Sequence, residues 1–180
     1  MIIKNTINQI LILTISDIKK LNALNSTDIK ELKKILSNYR KNKNVKGIIL
    51  TGDGDKSFIA GADIASMSKM TPKEAFKYSK LGQELTLALE NYNKPVLCAI
   101  NGYAYGGGCE IALACHFRLG SKKSSYSQPE VKLGLIAGWG ATYRLPKLIG
   151  QSKAMKMLLS GEILDAVKAK EIGLIDDVFE

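Results

Sequence analysis

The sequence of 180 residues contains few of the residues that bind metals or form disulfides. It has one histidine, His116, and three cysteines, Cys98, Cys109 and Cys115, none of which forms a CxxC pair. A histidine-based metal site is therefore not expected, because such sites need several ligands. An odd number of cysteines without paired spacing predicts reduced thiols in a cytoplasmic protein.

Long apolar runs are also missing. No run approaches the ~20 residues that a helix needs to cross a bilayer, and the first residues lack the pattern of a cleavable signal. We therefore expect no membrane association. The composition, 46% hydrophobic and 24% charged, is that of a globular protein. The length predicts one domain over residues 1–180, large enough for a sizeable core.

Negative charge is the minority sign, and the formal net charge is +9. Many of the lysines and arginines lie between Lys30 and Lys46. The simplest interpretation is a solvated helix face. Nucleic-acid binding would favour aromatic residues between the basic ones, and only Tyr39 is present there. The net charge instead favours attraction of an anionic small molecule to the protein as a whole. No specific nucleic-acid partner is predicted.

Strands alternate with helices along the chain, which predicts an α/β architecture. We predict strands over residues 10–15, 45–50 and 95–100, and a short strand within 118–126. Helices are predicted over residues 26–40, 72–90, 109–115 and 165–172, and over 144–159 with interruptions near Pro146 and Gly150. Residues 57–63 are predicted to form a loop of small side chains.

The most informative segment is residues 101–110, in which three glycines at 106–108 join a strand to a helix. Glycine lets a backbone approach a ligand closely, and free N–H groups at a helix start carry partial positive charge. Such a turn could bind an anionic oxygen, cradle a phosphate or serve tight packing. The turn lacks the GxxxxGK[ST] pattern, which excludes a P-loop here. It is not a GxGxxG turn followed by a suitably placed acid, so a dinucleotide-binding site is not expected.

Two carboxylates accompany this turn. Glu110 lies in the first turn of the predicted helix, and Glu130 lies in the segment Gln128-Pro129-Glu130. Alone, Glu110 could simply favour a helix dipole, and Glu130 could be a surface acid. Together with anion-stabilising amides, they indicate proton transfer next to a developing oxyanion.

Two further segments are rich in small residues. Residues 57–64 could be a surface turn in which Asp63 caps a helix, or a second backbone donor facing the glycine turn. In residues 134–141, Trp139 is interpreted as a packing residue rather than a stacking platform. Cys109 is interpreted as a small core residue, because no base is evident beside it to activate a nucleophile.

Five segments together resemble the crotonase family, also called the enoyl-CoA hydratase/isomerase family. They are residues 21–25, 58–64, 94–115, 128–135 and 144–146. The pattern Asn-Gly-Tyr-Ala-x-Gly-Gly-Gly-Cys-Glu followed by Gln-Pro-Glu is highly specific. The resemblance implies a spiral of repeated ββα units with helices packed outside. Within the family, the pattern resembles hydratases that act on short enoyl-CoA thioesters.

The resemblance also implies residue roles. The N–H groups of Ala62 and Gly107 would form an oxyanion hole, and Glu110 and Glu130 would activate water and move the proton. The residues that would contact the CoA thioester are Lys19, Ala23, Ala60, Ala62, Asp63, Ile64, Gly106, Gly107, Pro129 and Gly138, with Lys19 near a phosphate. No cofactor is implied beyond the CoA of the substrate.

The chain departs from the family pattern at several positions in the motifs. The residues that replace usual ones are His116, Ser127, Ala137, Ala141 and Tyr143. Both motif glutamates are retained, so these departures put the shape of the pocket in question more than the chemistry.

Length is a larger departure, because the family normally continues for several helices after residues 173–175. Those helices commonly close the acyl pocket and help to build a trimer, often paired into a hexamer. We therefore expect a core without the C-terminal helical segment, and a homotrimer or hexamer for the full-length form. Two alternatives remain: a crotonase-type isomerase, which often needs only one of the carboxylates, or a non-catalytic CoA- or RNA-binding module.

Overall fold

The computed structural model describes residues 1–180, which form ten strands and seven α-helices. The strands are β1 (Ile2–Ile7), β2 (Ile10–Ile15), β3 (Gly47–Gly52), β4 (Ser57–Ile59), β5 (Val96–Ile100), β6 (Tyr103–Tyr105), β7 (Phe117–Ser121), β8 (Ser125–Ser127), β9 (Leu164–Asp165) and β10 (Asp177–Phe179). The helices are α1 (Ser26–Arg40), α2 (Ile64–Met67), α3 (Pro72–Glu90), α4 (Gly107–Ala114), α5 (Ala141–Ile149), α6 (Gln151–Ser160) and α7 (Ala166–Glu171). Two 3₁₀ helices span Ile18–Lys20 and Pro129–Leu133.

The strands form two sheets. The larger has six strands in the order β1-β2-β3-β5-β7-β10, and the smaller has four in the order β4-β6-β8-β9. In the larger sheet only β1 and β2 are antiparallel. Their connection places Asn8 and Gln9 at φ 48° and 66°. Positive φ at both central residues is the geometry that matches the twist of a tight hairpin.

The chain alternates between the two sheets. β3 is followed by β4, β5 by β6 and β7 by β8, and helices follow the first two of these pairs. The predicted spiral of ββα units is therefore confirmed. The first two crossings require close backbone approach: a Cβ at Gly52 would lie 2.3 Å from the Ser57 carbonyl oxygen, and one at Gly102 would lie 2.2 Å from that of Lys56.

A hydrophobic cluster of 40 buried residues fills the space between sheets and helices. α1 buries Ile29, Leu32 and Leu36 against it, as its apolar spacing predicts. A capping box opens α3, with Thr71 and Glu74 exchanging hydrogen bonds. The three cysteines are buried and unpaired. None of the seven helices is both long and apolar enough to span a membrane.

Several boundaries differ from those predicted. Residues 57–63 are not entirely loop, because Phe58 and Ile59 are fully buried and belong to β4. The segment 118–126, predicted to contain one short strand, contains parts of two, β7 and β8. The helical segment near the C-terminus is broken at Gly150, where φ is 82°, whereas Pro146 lies inside α5 without ending it. α4 begins at Gly107, two residues earlier than predicted.

Candidate active site

A cavity of about 550 Å³ opens beside the start of α4. Its wall combines α3, α4, the 3₁₀ helix Pro129–Leu133 and the loops around Ala62 and Gly138. Glu110 and Glu130, which come from different elements, both line this cavity. The two carboxylates and the glycine turn predicted from the sequence therefore meet in one place.

Gly106 shapes the turn that precedes α4. Its φ of 49° and ψ of −122° are accessible to glycine, and its N–H donates to the carbonyl of Ser127 at 2.9 Å. A Cβ at this position would lie 3.0 Å from Oε1 of Glu130. The missing side chain thus lets the Glu130 carboxylate lie directly against the backbone.

Two backbone N–H groups are available at the cavity. Gly107 is the first residue of α4, and the first N–H groups of a helix have no partner within it. Ala62 lies between residues that pair with Leu24: the carbonyl of Gly61 accepts from Leu24 N–H at 2.9 Å, and Asp63 N–H donates to Leu24 at 3.0 Å. Because strand N–H groups alternate in direction, the Ala62 N–H faces away from Leu24 and has no acceptor in the chain.

Glu110 is held by the loop that leads into α5. Only 2% of the residue is exposed, and its Oε1 accepts N–H groups from Trp139 at 2.7 Å and Ala141 at 2.9 Å. Burial, with a smaller contribution from the Glu130 carboxylate, raises the pKa of Glu110 to about 7 against the opposing effect of the backbone N–H donors. A carboxyl group with a pKa near neutrality can both give and accept a proton at the working pH.

Glu130 lies near the start of the 3₁₀ helix, directly after Pro129. Burial raises its pKa above the ordinary value. When the amide of Gln128 is oriented with its nitrogen toward Glu130, it donates to both carboxylate oxygens at 3.1 Å. Gln128 is 1% exposed. The sequence analysis gave Gln128 no role, although its position next to Pro129-Glu130 was the available signal.

The predicted site residues divide into two groups. Those that line the cavity are Ala60, Ala62, Ile64, Gly106, Gly107, Glu110, Pro129, Glu130 and Gly138. Lys19, Ala23 and Asp63 are absent from the wall. Their predicted contacts with CoA stay predictions.

Asp63 has a local structural role. It caps α2 by accepting the Ser66 N–H and forms an ion pair with Lys20 at 2.9 Å. The hydrogen bond from Lys20 lowers the pKa of this carboxyl to about 2. The interpretation of Asp63 as a helix cap is confirmed. Lys19 lies beside Lys20 in the exposed 3₁₀ helix Ile18–Lys20.

The rest of the wall is largely apolar and includes residues that the sequence analysis missed. Met67, Leu133, Leu135 and Ile136 contribute aliphatic side chains, and Ile136 is 82% exposed at the rim. These side chains suit an apolar ligand group. Their signal in the sequence was weak, because single apolar residues near glycines are common in loops.

Trp139 is buried between two helices. Its ring meets Tyr78 edge-on at 5.6 Å, and a Cβ at Gly82 or Gly107 would lie 2.2 Å or 2.4 Å from ring atoms. Trp139 is therefore a packing residue, as predicted. Cys109 is also a core residue, because burial raises the pKa of its thiol far above the ordinary value and so disfavours the thiolate.

Comparison with known proteins agrees with this geometry. The family model described as enoyl-CoA hydratase/isomerase matches residues 5–180. The chain belongs to the enoyl-CoA hydratase/isomerase family.

Two curated relatives are similar along most of the chain. The crotonyl-CoA hydratase of Syntrophomonas wolfei is 41% identical over 169 residues, which are 94% of this chain and 65% of that protein. The short-chain-enoyl-CoA hydratase of Clostridium acetobutylicum is 41% identical over 172 residues, or 96% and 66%. The chain thus spans slightly less than two thirds of the length of these two relatives.

The fold is shared with solved structures. The crystal structure of an enoyl-CoA hydratase from Bacillus anthracis superposes with a TM-score of 0.96 at 33% identity, covering 99% of this chain and 69% of that one. An enoyl-CoA hydratase from Thermoplasma volcanium gives a TM-score of 0.94 at 31% identity, covering 99% and 71%.

Proposed function

We propose that this protein is an enoyl-CoA hydratase, which adds water reversibly and with syn geometry across the 2,3-double bond of a short-chain enoyl-CoA such as crotonyl-CoA. In the reverse direction it is a 3-hydroxyacyl-CoA dehydratase. One observation carries the proposal: two carboxyl groups with raised pKa values line the same cavity as two unpaired backbone N–H groups.

The proposed chemistry uses each of these groups. The thioester oxygen would accept hydrogen bonds from Ala62 and Gly107, which stabilise negative charge as an enolate develops. Loss of one such donor typically costs ~3–4 kcal/mol. Water held by Glu110 and Glu130 attacks C3 while C2 receives a proton, so the elements of one water molecule are added.

The names of the relatives support the substrate class. Those of the two curated relatives specify crotonyl-CoA and short-chain enoyl-CoA hydratases, and the apolar wall near Leu133 and Leu135 suits a short acyl chain. The net charge of +9 would favour the anionic CoA moiety. The pathway implied is fatty acid or butyrate metabolism.

The remaining features of the proposal follow from the family. The substrate is the acyl-CoA thioester with water, and no cofactor or metal takes part beyond CoA itself. The full-length form would be a homotrimer or hexamer in the cytoplasm, with no specific nucleic-acid partner and no membrane partner. Residues 1–180 would act as one domain.

A crotonase-type isomerase is the second candidate, because the family description covers both activities. Double-bond isomerisation often needs only one carboxylate. Glu110 and Glu130 both line the cavity, which favours hydration.

Purified protein should be mixed with crotonyl-CoA and with a 3-enoyl-CoA in separate assays. We expect loss of the enoyl absorbance of crotonyl-CoA, and a rate of loss that is lower by orders of magnitude in Glu110→Gln and Glu130→Gln. Glu171→Gln, an exposed carboxylate on α7, is the matched control and should retain activity. Conversion of the 3-enoyl-CoA without hydration of crotonyl-CoA would instead support the isomerase, and thioester binding without either reaction would contradict both.

A further inference from the structure

Four polar residues of α3 form a stripe along one side of the helix. They are Ser79, Gln83, Thr86 and Glu90, spaced four, three and four residues apart, which places them on one face. We call this set the α3 polar stripe. Thr86 is fully buried. A buried hydroxyl group needs a hydrogen-bond partner: Thr86 Oγ1 lies 3.0 Å from the Gln83 carbonyl of its own helix, and it makes a shorter contact with another part of the fold.

The stripe meets the loop of residues 138–141. The carbonyl of Gly138 accepts hydrogen bonds from Ser79 Oγ at 3.0 Å and from Gln83 Nε2 at 2.9 Å. The carbonyl of Trp139 accepts from Thr86 Oγ1 at 2.7 Å. Two successive carbonyls of the loop are thus hydrogen-bonded to the same helix.

Arg144 completes the attachment from α5. Its Nη1 donates to the Trp139 carbonyl at 3.1 Å and its Nη2 donates to Glu90 at 2.6 Å. The residue is 5% exposed, and its Nε has no partner. A buried donor without an acceptor is unfavourable. The guanidinium therefore lies in an orientation that lets Nη1 and Nη2 make their hydrogen bonds at the cost of leaving Nε unpaired.

The first of these peptide groups holds Glu110 at its other end, and the second lies between the two N–H groups that hold it. The Gly138 carbonyl shares a plane with the Trp139 N–H, which donates to Glu110 at 2.7 Å. The Trp139 carbonyl belongs to the next peptide group, which lies between the two N–H groups that donate to Glu110, those of Trp139 and of Ala141, the latter at 2.9 Å. Because a peptide group is rigid and planar, fixing its carbonyl fixes the direction of its N–H.

We infer that Thr86 and Arg144 are positioning residues for Glu110, acting through the Trp139–Gly140 peptide group, whose orientation sets the two neighbouring N–H groups that donate to Glu110. Their catalytic consequence rests on the proposed function, whereas the positioning itself does not. The titratable and charged groups around Glu110 are Glu130 on the 3₁₀ helix, Tyr78 on α3, Cys109 on α4 and Arg144 on α5. The positive charge of Arg144 is paired with Glu90.

The test is Thr86→Val, which removes the hydroxyl and keeps the shape of the side chain. Titration of the Glu110 carboxyl by NMR with ¹³C-labelled glutamate should show a pKa higher than in the wild type by roughly 0.5–1 pH unit, since weaker N–H donation disfavours the carboxylate. In the pH profile of kcat/KM, the limb that reports the titration of Glu110 should move by the same amount. Thr86→Ser, which keeps the hydroxyl, should restore the wild-type titration.

Thr51→Val is the matched control, because Thr51 also donates its hydroxyl to a backbone carbonyl, that of Ala99 at 2.8 Å in the larger sheet. It should leave the Glu110 titration unchanged. Arg144→Lys is a second variant, which keeps the charge and loses the two-pronged contact, and should shift the titration in the same direction. An unchanged Glu110 titration in Thr86→Val or Arg144→Lys would overturn the inference. Absence of hydration by the wild type would instead overturn the proposed function, since the NMR titration needs no turnover.

Discussion

The two glutamates face one cavity from walls that are built differently. Glu110 belongs to α4, in which all eight residues are buried, and its Oε1 accepts two backbone N–H groups. Glu130 belongs to a 3₁₀ helix without a buried residue, and exposed residues follow it at 131–136. The comparison shows how one fold can hold one carboxyl group fixed in the interior and present the other from a wall that borders solvent.

The largest effect is expected on turnover in Glu110→Gln, which removes the more deeply buried of the two carboxyl groups. Hydration of crotonyl-CoA should fall by ~10²–10⁴-fold, because one acid–base group is lost, while CoA-thioester binding measured by calorimetry persists. Near wild-type turnover would contradict the two-carboxylate mechanism.

The same variant should be more stable than the wild type at high pH. The folded-state pKa of Glu110, about 7, lies above the ordinary value of 4.5. The stabilisation from the neutral carboxyl is therefore complete below pH 4.5 and is lost as pH rises through 7. Glutamine stays neutral and keeps an oxygen for the Trp139 N–H. Urea unfolding at pH 8 should show a gain on the order of 3 kcal/mol, shrinking toward zero at pH 4; equal stabilities at pH 8 would refute the buried, raised pKa.

Glu130→Gln should show how the wall that carries Glu130 differs from the wall that carries Glu110. Turnover should again fall by orders of magnitude, but the gain in stability at pH 8 should be smaller than for Glu110→Gln, because Glu130 is less deeply buried. Parallel urea titrations of both variants make the comparison directly. A larger gain in stability for Glu130→Gln than for Glu110→Gln would show that Glu130, and not Glu110, is the more deeply buried carboxyl group.

Gly107→Ala should damage the interior wall. Its Cβ would lie 2.4 Å from Cζ3 of Trp139, so the ring and its loop must shift. Overpacking of this kind costs ~1–3 kcal/mol, and the shift should also disturb the N–H groups that hold Glu110. Thermal unfolding and turnover should both decline, and a variant with unchanged values would show that the ring has room to move.

The smallest effect is expected at Gly134→Ala, at the end of the 3₁₀ helix. Gly134 has φ 69°, and a Cβ there would meet nothing within 4 Å. The cost should therefore be conformational only, about 1 kcal/mol, with little change in turnover. A loss as large as that for Gly107→Ala would indicate that the solvent-bordering wall is as tightly packed as the interior one.

Local patterns predicted much of the fold. The signals that begin α3 at Pro72 and break the C-terminal helical segment at Gly150 act within a few residues, so they can be read from the sequence. The predicted meeting of Glu110 and Glu130 required the family resemblance, because the two residues lie on separate elements and spacing alone does not place them together.

Other features depend on packing between distant segments. The short strand β6 is stabilised by its neighbours β4 and β8, which local propensity does not reveal. The α3 polar stripe was visible as spacing in the sequence. Its partners, the carbonyls of Gly138 and Trp139, become evident only when the loop lies on the helix.

Trp139 is the only tryptophan of the chain, and it lines the cavity between Gly82 and Gly107. Its intrinsic fluorescence therefore comes from one location, next to the Glu110 carboxyl. A ligand that enters the cavity, or a change in the protonation of Glu110, alters the surroundings of this single emitter. Each event can be followed by the tryptophan emission excited at 295 nm without an added label, since tyrosine absorbs little at that wavelength. In variants that no longer catalyse the reaction, the same signal reports ligand binding separately from turnover.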